Sequence, residues 1–255
     1  MKTIDFQQKT VVVTGGTGGI GHAVVKALLQ ANAKVAAIYR SEKAREETSA
    51  AMAGLGTIEF FQLDTGDTDA IGPCVDDIVA RMGPIVGLAQ CAGLMGGSPG
   101  LELAPDEWDR VMDVNAKGTF FLMQAVVGKS MKDHGGSVVN IASMAGIRGM
   151  VPPLQAPHYS ASKAAVVGIT MQAAVDWAPI GVRVNSIAPG GVKVGPLAFP
   201  SKEEIPPYLV ANVPSKDLVE PDCIADTILY LLSDMSCSMT GQTLVLDGGA
   251  SVCGY

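Results

Sequence analysis

Seven short apolar runs, each nearly unbroken, alternate along this chain with longer stretches whose apolar residues recur at helical spacing. Residues 11–14, 34–39, 58–63, 85–91, 138–141, 182–188 and 243–246 are rich in apolar and β-branched residues and predict strands. Residues 20–30, 41–52, 68–82, 106–131, 159–178 and 222–233 carry the helical patterns. The longest opens on Pro105-Asp106 and predicts one continuous helix, and Thr68 is the expected N-cap of the third. A strand with one wet face alternates apolar and polar residues. These runs do not alternate, so both of their faces are buried. Burial on both faces requires a parallel sheet with helices on each side, and right-handed crossovers wind such a sheet doubly. The expected fold class is α/β, with a seven-stranded parallel sheet and helices on both faces. No composition shift, repeat or linker splits residues 1–255, so one domain is expected.

Composition agrees with a large buried core. Hydrophobic residues make up 48% and charged residues 17% of the 255. An average globular domain is about 25% charged, and disorder needs the opposite balance. A chain of this length buries roughly 75% of its unfolded surface without staples or metal. The net charge is −7, and the 18 Lys and Arg form no run. Nucleic acid and anionic membrane are therefore not expected partners. No apolar stretch approaches the ~20 residues that span a bilayer, and MKTIDFQQKT contains no signal-peptide core. Cys74, Cys91, Cys223, Cys237 and Cys253 are odd in number and form no CxxC pair, which predicts reduced thiols in a cytoplasmic protein. His22, His134 and His158 lack ligand spacing, so no metal is expected. Residues 190–221 are rich in Pro and Gly, lack a period and exceed an ordinary loop, as lids and binding loops do.

Two stretches carry chemistry. Thr14-Gly15-Gly16-Thr17-Gly18-Gly19-Ile20-Gly21 follows the first strand and opens the first helix. A dinucleotide pyrophosphate needs a tight turn, close backbone approach and a helix N-terminus aimed at the anion there. A P-loop is not indicated, because Gly21 precedes His22 rather than Lys. The second strand ends Ile38-Tyr39-Arg40-Ser41, without the acid that would bind an NAD ribose. Arg40 can pair with a 2′-phosphate and Ser41 can add a hydroxyl, which favours NADP(H) over NAD(H). Further on, Tyr159 and Lys163 fall four positions apart on one helix face. A nearby ammonium lowers a phenol's pKa from about 10, so the pair suits general acid–base work. Ser143 follows the fifth strand at its C-terminal end, where ligands of such sheets bind.

In these residues the chain resembles the classical short-chain dehydrogenase/reductase family. The matching residues are Thr14 to Gly21, Asp64, Ala92-Gly93, Asn115, Ser143, Tyr159, Lys163, Asn185 and Pro189-Gly190, in family order over almost the whole chain. The resemblance implies a single Rossmann-type domain with a substrate-binding loop at about 190–221. It implies that Tyr159 exchanges a proton with the substrate oxygen, that Ser143 holds that oxygen, and that Lys163 also binds the nicotinamide ribose. Asn115 is implied to hold a water of the proton relay. Gly15, Thr17, Gly18, Gly19, Ile20 and Gly21 would cradle the pyrophosphate. Asp64 and Thr65 would lie near the adenine, Ala92 and Gly93 beside the cofactor, and Pro189, Gly190 and Val192 along the nicotinamide. Homodimers or homotetramers are implied as well.

The chain departs from the family pattern in places. Gln90-Cys91 stands where Asn-Asn is usual, and Cys91 hydrogen-bonds more weakly than Asn. Val194 stands where a Thr often meets the nicotinamide amide. Extra residues between Ser143 and Tyr159 fall at 149–157, an expected wall of the substrate pocket, with Pro-Leu-Gln-Ala weakly similar to polyol dehydrogenases. Met144, Met150, Leu154, Leu197 and Phe199 are candidate pocket residues. His158 reads as packing, because consecutive helical residues point apart, and Trp108 and Trp177 read as packing or interface residues. The expected activity is hydride transfer between a nicotinamide and a secondary alcohol or ketone, on a small-molecule carbonyl or alcohol substrate. The alternatives are a catalytically silent nucleotide sensor on the same fold and an NAD-preferring dehydrogenase.

Overall fold

A computed structural model of the chain describes residues 3–150 and 156–253. Among the described residues seven strands form one sheet: β1 (Thr10–Thr14), β2 (Lys34–Tyr39), β3 (Ile58–Gln62), β4 (Ile85–Gln90), β5 (Gly136–Ile141), β6 (Val182–Pro189) and β7 (Thr243–Leu246). All pairings are parallel, in the order β3-β2-β1-β4-β5-β6-β7. Between them run α1 (Gly19–Gln30), α2 (Glu42–Ala51), α3 (Thr68–Met82), α4 (Pro105–Met112), α5 (Thr119–Lys129), α6 (Pro157–Trp177), α7 (Pro207–Val210) and α8 (Pro221–Leu232).

The unbroken apolar runs have the cause inferred for them. Every residue of β1 is buried. Val11 and Val13 face a core built with α1 and α8, through Val24, Leu28, Ile224 and Ile228. Val12 faces the opposite core, through Ile71, Val75, Leu122 and Val126 of α3 and α5. The chain leaves β1 in one direction and β4 in the other. The C-terminal ends of those two strands therefore part into a crevice, the usual ligand position in an open parallel sheet.

Two expectations are corrected. Residues 106–131 are not one continuous helix: α4 and α5 are joined by a π-helical turn, Asp113–Gly118, and Met131–Asp133 forms a separate 3-10 turn. A π turn inserts one residue per turn and re-aims the side chains it carries, here Asn115. Thr68 is the first residue of α3 and not its cap. Asp67 caps it, accepting from the amides of Asp69 (3.2 Å) and Ala70 (3.3 Å). Residues 190–221, the expected binding loop, carry local structure of their own. They hold α7 and two 3-10 turns, and they close on themselves through a bridge between Val192 and Val219. Lys193 clamps that closure, its Nζ 3.0 Å from Asp217 and 2.6 Å from Glu220. Of the expected pocket wall at 149–157, residues 151–155, including Leu154, lie outside the described residues.

Candidate active site

The glycine loop joins β1 to α1 across the crevice. Gly15 takes a φ of +60°, and a Cβ on it would stand 3.0 Å from the Ala92 backbone. The Thr14 hydroxyl accepts from the Ala92 amide at 3.0 Å and fixes that approach. A Cβ on Gly21 would fall 2.1 Å from the Gly15 carbonyl oxygen, so only glycine lets the first turn of α1 pack onto the loop. α1 has no side-chain cap and no acid in its first turn, which leaves its N-terminal amides free for an anion. Val194, beyond β6, lies over the loop; a Cβ on Gly19 would be 2.4 Å from it.

A single groove runs from this loop past the end of β2. Gly15, Thr17, Gly18, Arg40, Ser41, Asp64, Thr65, Ala92 and Gly93 line it, with Leu94 and Val114. Arg40 is largely exposed and stands 3.9 Å from the Asp64 carboxylate. Ser41 also caps α2, accepting from the Ala44 amide. Ile20 lies in the first turn of α1. Pro189 ends β6 beside β7, and Gly190 packs on Asp247, where a Cβ would sit 3.1 Å away. Val192 is buried in the bridge that closes the following loop. These three lie beyond the groove lining, at the C-terminal end of β6.

Tyr159 and Lys163 lie on the first turns of α6, and the Lys163 ammonium is 5.8 Å from the Tyr159 ring centre. Lys163 is buried and donates to the Ile141 carbonyl at 2.7 Å. Burial pulls its pKa down to about 8. The expectation that Lys163 makes the phenol more acidic needs correction in this chain. Burial raises the Tyr159 pKa, against a smaller lowering influence of the nearby Ser143 hydroxyl. The phenol is thus protonated at neutral pH, the state a proton donor needs. Ser143 starts the 3-10 turn Met144–Gly146, accepting from the Ala145 amide at 3.1 Å. A Cβ on Gly146 would be 2.6 Å from the Lys163 backbone, so this glycine lets the turn rest directly on α6.

Asn115, on the π turn, is fully buried. Its amide donates to the Leu94 carbonyl (2.8 Å) and to Ser162 (3.0 Å), and its carbonyl accepts from the Leu94 amide (2.7 Å). Ser162 in turn donates to the Tyr159 carbonyl at 2.8 Å. Ser162 was absent from the expected site, although its place three residues after Tyr159 was a usable signal. Gly93 keeps the floor open: a Cβ there would be 3.3 Å from Asn115 Oδ1 and 3.4 Å from Lys163 Nζ. Cys91 is partly buried near Lys163, and desolvation pushes its thiol up to about 12, so it stays neutral. The bracing that Cys91 was not expected to supply comes from Gln90, which donates to Thr119 O (2.9 Å) and Asn140 Oδ1 (3.0 Å).

The family profile described as "Enoyl-(Acyl carrier protein) reductase" matches residues 15–251. The chain belongs to the short-chain dehydrogenase/reductase family. As a member, it is an NAD(P)-dependent oxidoreductase on a Rossmann-type sheet. It is 32% identical to 2-(S)-hydroxypropyl-CoM dehydrogenase 3 of Xanthobacter autotrophicus, over 96% of this chain and 97% of that one. It is 34% identical to the 3-oxoacyl-[acyl-carrier-protein] reductase FabG of Thermotoga maritima (96% and 98%). It is 33% identical to D-threitol dehydrogenase of Mycolicibacterium smegmatis (96% and 93%). Among solved structures, a short-chain type dehydrogenase/reductase from Mycobacterium marinum superposes with a TM-score of 0.89 at 30% identity, covering 98% of each chain. A nicotinamide dinucleotide fits the residues present, since the N-terminus of α1 carries no side-chain cap and the groove beside it is floored by Gly15, Gly18, Ala92 and Gly93.

Proposed function

We propose that this short-chain dehydrogenase/reductase interconverts a small ketone and its secondary alcohol, preferring NADP(H), with Ser143, Tyr159, Lys163 and Asn115 as its working residues. The observation that carries this reading is the pairing of Tyr159 and Lys163 on the first turns of α6, with the Lys163 ammonium 5.8 Å from the Tyr159 ring centre, and Ser143 just beyond the C-terminal end of β5. The nicotinamide, when bound, supplies or receives the hydride at the substrate carbon. Tyr159 gives its proton to the substrate oxygen in reduction and takes it back in oxidation. Ser143 holds that oxygen in place. Lys163 binds the nicotinamide ribose beside the phenol, and Asn115 holds the floor on which the relay runs.

Arg40 supports the NADP(H) preference. It is exposed at the end of β2, where no acid stands, and its ion pair with Asp64 is long enough for a phosphate to replace it. Large apolar side chains lie exposed on α4, α5 and α6 (Trp108, Phe121, Met171 and Val175), which supports a homodimer or homotetramer. The acidic surface and the free cysteines support a cytoplasmic protein acting on small molecules.

The test is cofactor oxidation and reduction over ethyl acetoacetate, cyclohexanone and threitol with both dinucleotides. Tyr159→Phe is expected to lose roughly 10²–10⁴-fold in kcat, the share of a positioned acid, while dinucleotide binding persists. Full turnover in that variant would remove the mechanism. Binding with no turnover by the unaltered chain on any carbonyl or alcohol would favour the sensor reading. Arg40→Ala is expected to raise the Kd for NADPH far more than for NADH, and equal losses would remove the 2′-phosphate role.

A further inference from the structure

His158 immediately precedes Tyr159 and is wholly buried. Its imidazole does not point at the reacting groups. It points across to the segment that follows β4 and to α4. Gly96 of that segment lies directly against the ring, where a Cβ would fall 1.6 Å from Nε2. Nε2 stands 3.2 Å from Glu107 Oε1 on α4. That is within ion-pair reach, although the ring N–H is not aimed well enough to count as a hydrogen bond. The other Glu107 oxygen accepts from the Ser98 hydroxyl at 2.5 Å. One carboxylate thus joins three parts of the chain: the 94–98 segment, α4 and the first turn of α6.

This tie has a counterpart on the far side of the tyrosine. Asn115 holds Leu94 by two hydrogen bonds and meets Ser162, which donates to the Tyr159 carbonyl. The residue before Tyr159 and its own carbonyl are therefore both anchored to the same 94–98 segment. A buried polar ring beside a carboxylate destabilises the fold unless the pair is held in register. Plain packing would be served better by Leu at this position. Leu94, next to Gly93 on the site floor, belongs to the same segment.

We infer that His158, through Glu107 and Ser98, is a positioning residue. It sets the placement of the Tyr159 phenol relative to the 94–98 segment, and so the orientation in which a carbonyl substrate meets the acid. This inference rests on the role proposed for Tyr159. Misplacement of a reacting group by about 1 Å costs up to roughly 10²-fold in rate, so a loosened tie is visible in kinetics before it is visible in folding.

The experiment compares His158→Leu, His158→Gln, Glu107→Leu and the His158→Leu/Glu107→Leu double variant on the fastest substrate of the panel above. His158→Leu is expected to lower kcat/KM by roughly 10–10²-fold, with the dinucleotide Kd unchanged. Amide hydrogen exchange at 94–98 should quicken in the same variant. His158→Gln, whose amide nitrogen sits where Nε2 does, should recover most of the loss. The double variant should lose no more than the worse single one, because each breaks the same tie. Unaltered kcat/KM per folded molecule in His158→Leu, or losses that add in the double variant, would overturn the inference. Should His158→Leu fail to fold, Glu107→Leu decides by the same two readouts. An inactive Tyr159→Phe beside a fully active His158→Leu sinks this inference alone, whereas a fully active Tyr159→Phe sinks the proposed function beneath it.

Discussion

Lys163 shows how one side chain couples stability to chemistry. Burial lowers its pKa from 10.5 to about 8. Between those values the unfolded chain holds more protons at this position than the folded chain does. Stability from this group is therefore fully present above 10.5 and is lost as pH falls through about 8. Lys163→Met should flatten the rise in unfolding free energy between about pH 8 and pH 10.5, a rise on the order of 3 kcal/mol in full. Urea unfolding of both proteins across that range measures it, and parallel curves would show that another group is responsible. The identities of Tyr159, Lys163 and Ser143 were legible from spacing, but the acidity of the phenol was not. Spacing placed an ammonium one turn away. Only the packing showed that this ammonium is bonded to Ile141 and that desolvation raises the pKa of the phenol.

At the scale of elements, the glycine loop was readable because its demands are local. A strand, a turn and a helix N-terminus in sequence leave few other structures for Gly15 and Gly21. Gly21→Ala should raise the dinucleotide Kd roughly tenfold or more, an effect of about 1.4 kcal/mol or above, because its methyl meets the Gly15 carbonyl. Gly128→Ala on α5, where a Cβ meets nothing within 4 Å, is the control. It should bind normally and gain up to about 1 kcal/mol in stability from helix propensity. Equal binding by the two variants, measured by fluorescence titration, would contradict the loop's role. The π turn between α4 and α5 was not readable. Helical periodicity runs through residues 106–131 almost undisturbed, and the turn is held by Asn115 bonding to Leu94, a partner from another segment. The cap of α3 was misplaced by one residue for a simpler reason. Asp67 and Thr68 are both good caps, and the backbone chose the carboxylate.

For the whole molecule, one sheet separates two cores, and β1 contributes to both. Leu28 lies in the core shared with α1 and α8, and Leu122 in the core shared with α3 and α5. Both side chains are fully buried, so each Leu→Ala change should cost about 2–5 kcal/mol. Because the two cores share their strands, both variants should unfold in a single transition, with near-UV and far-UV circular dichroism coinciding. Separate transitions in either variant would show that the cores are independent. The α/β class, the strand count and the parallel arrangement followed from hydrophobic pattern alone, since a strand buried on both faces has to be written in nearly unbroken apolar residues. The glycine loop and the Tyr159–Lys163 pair followed from contacts between residues close in the chain. Folding in three dimensions decided the rest: Gln90 in place of Cys91 as the brace, the π turn that aims Asn115, and the carboxylate that ties His158 to the 94–98 segment. Each of those depends on partners 20 or more residues away or on the loss of water around a charge, and neither leaves a periodic mark in a linear chain.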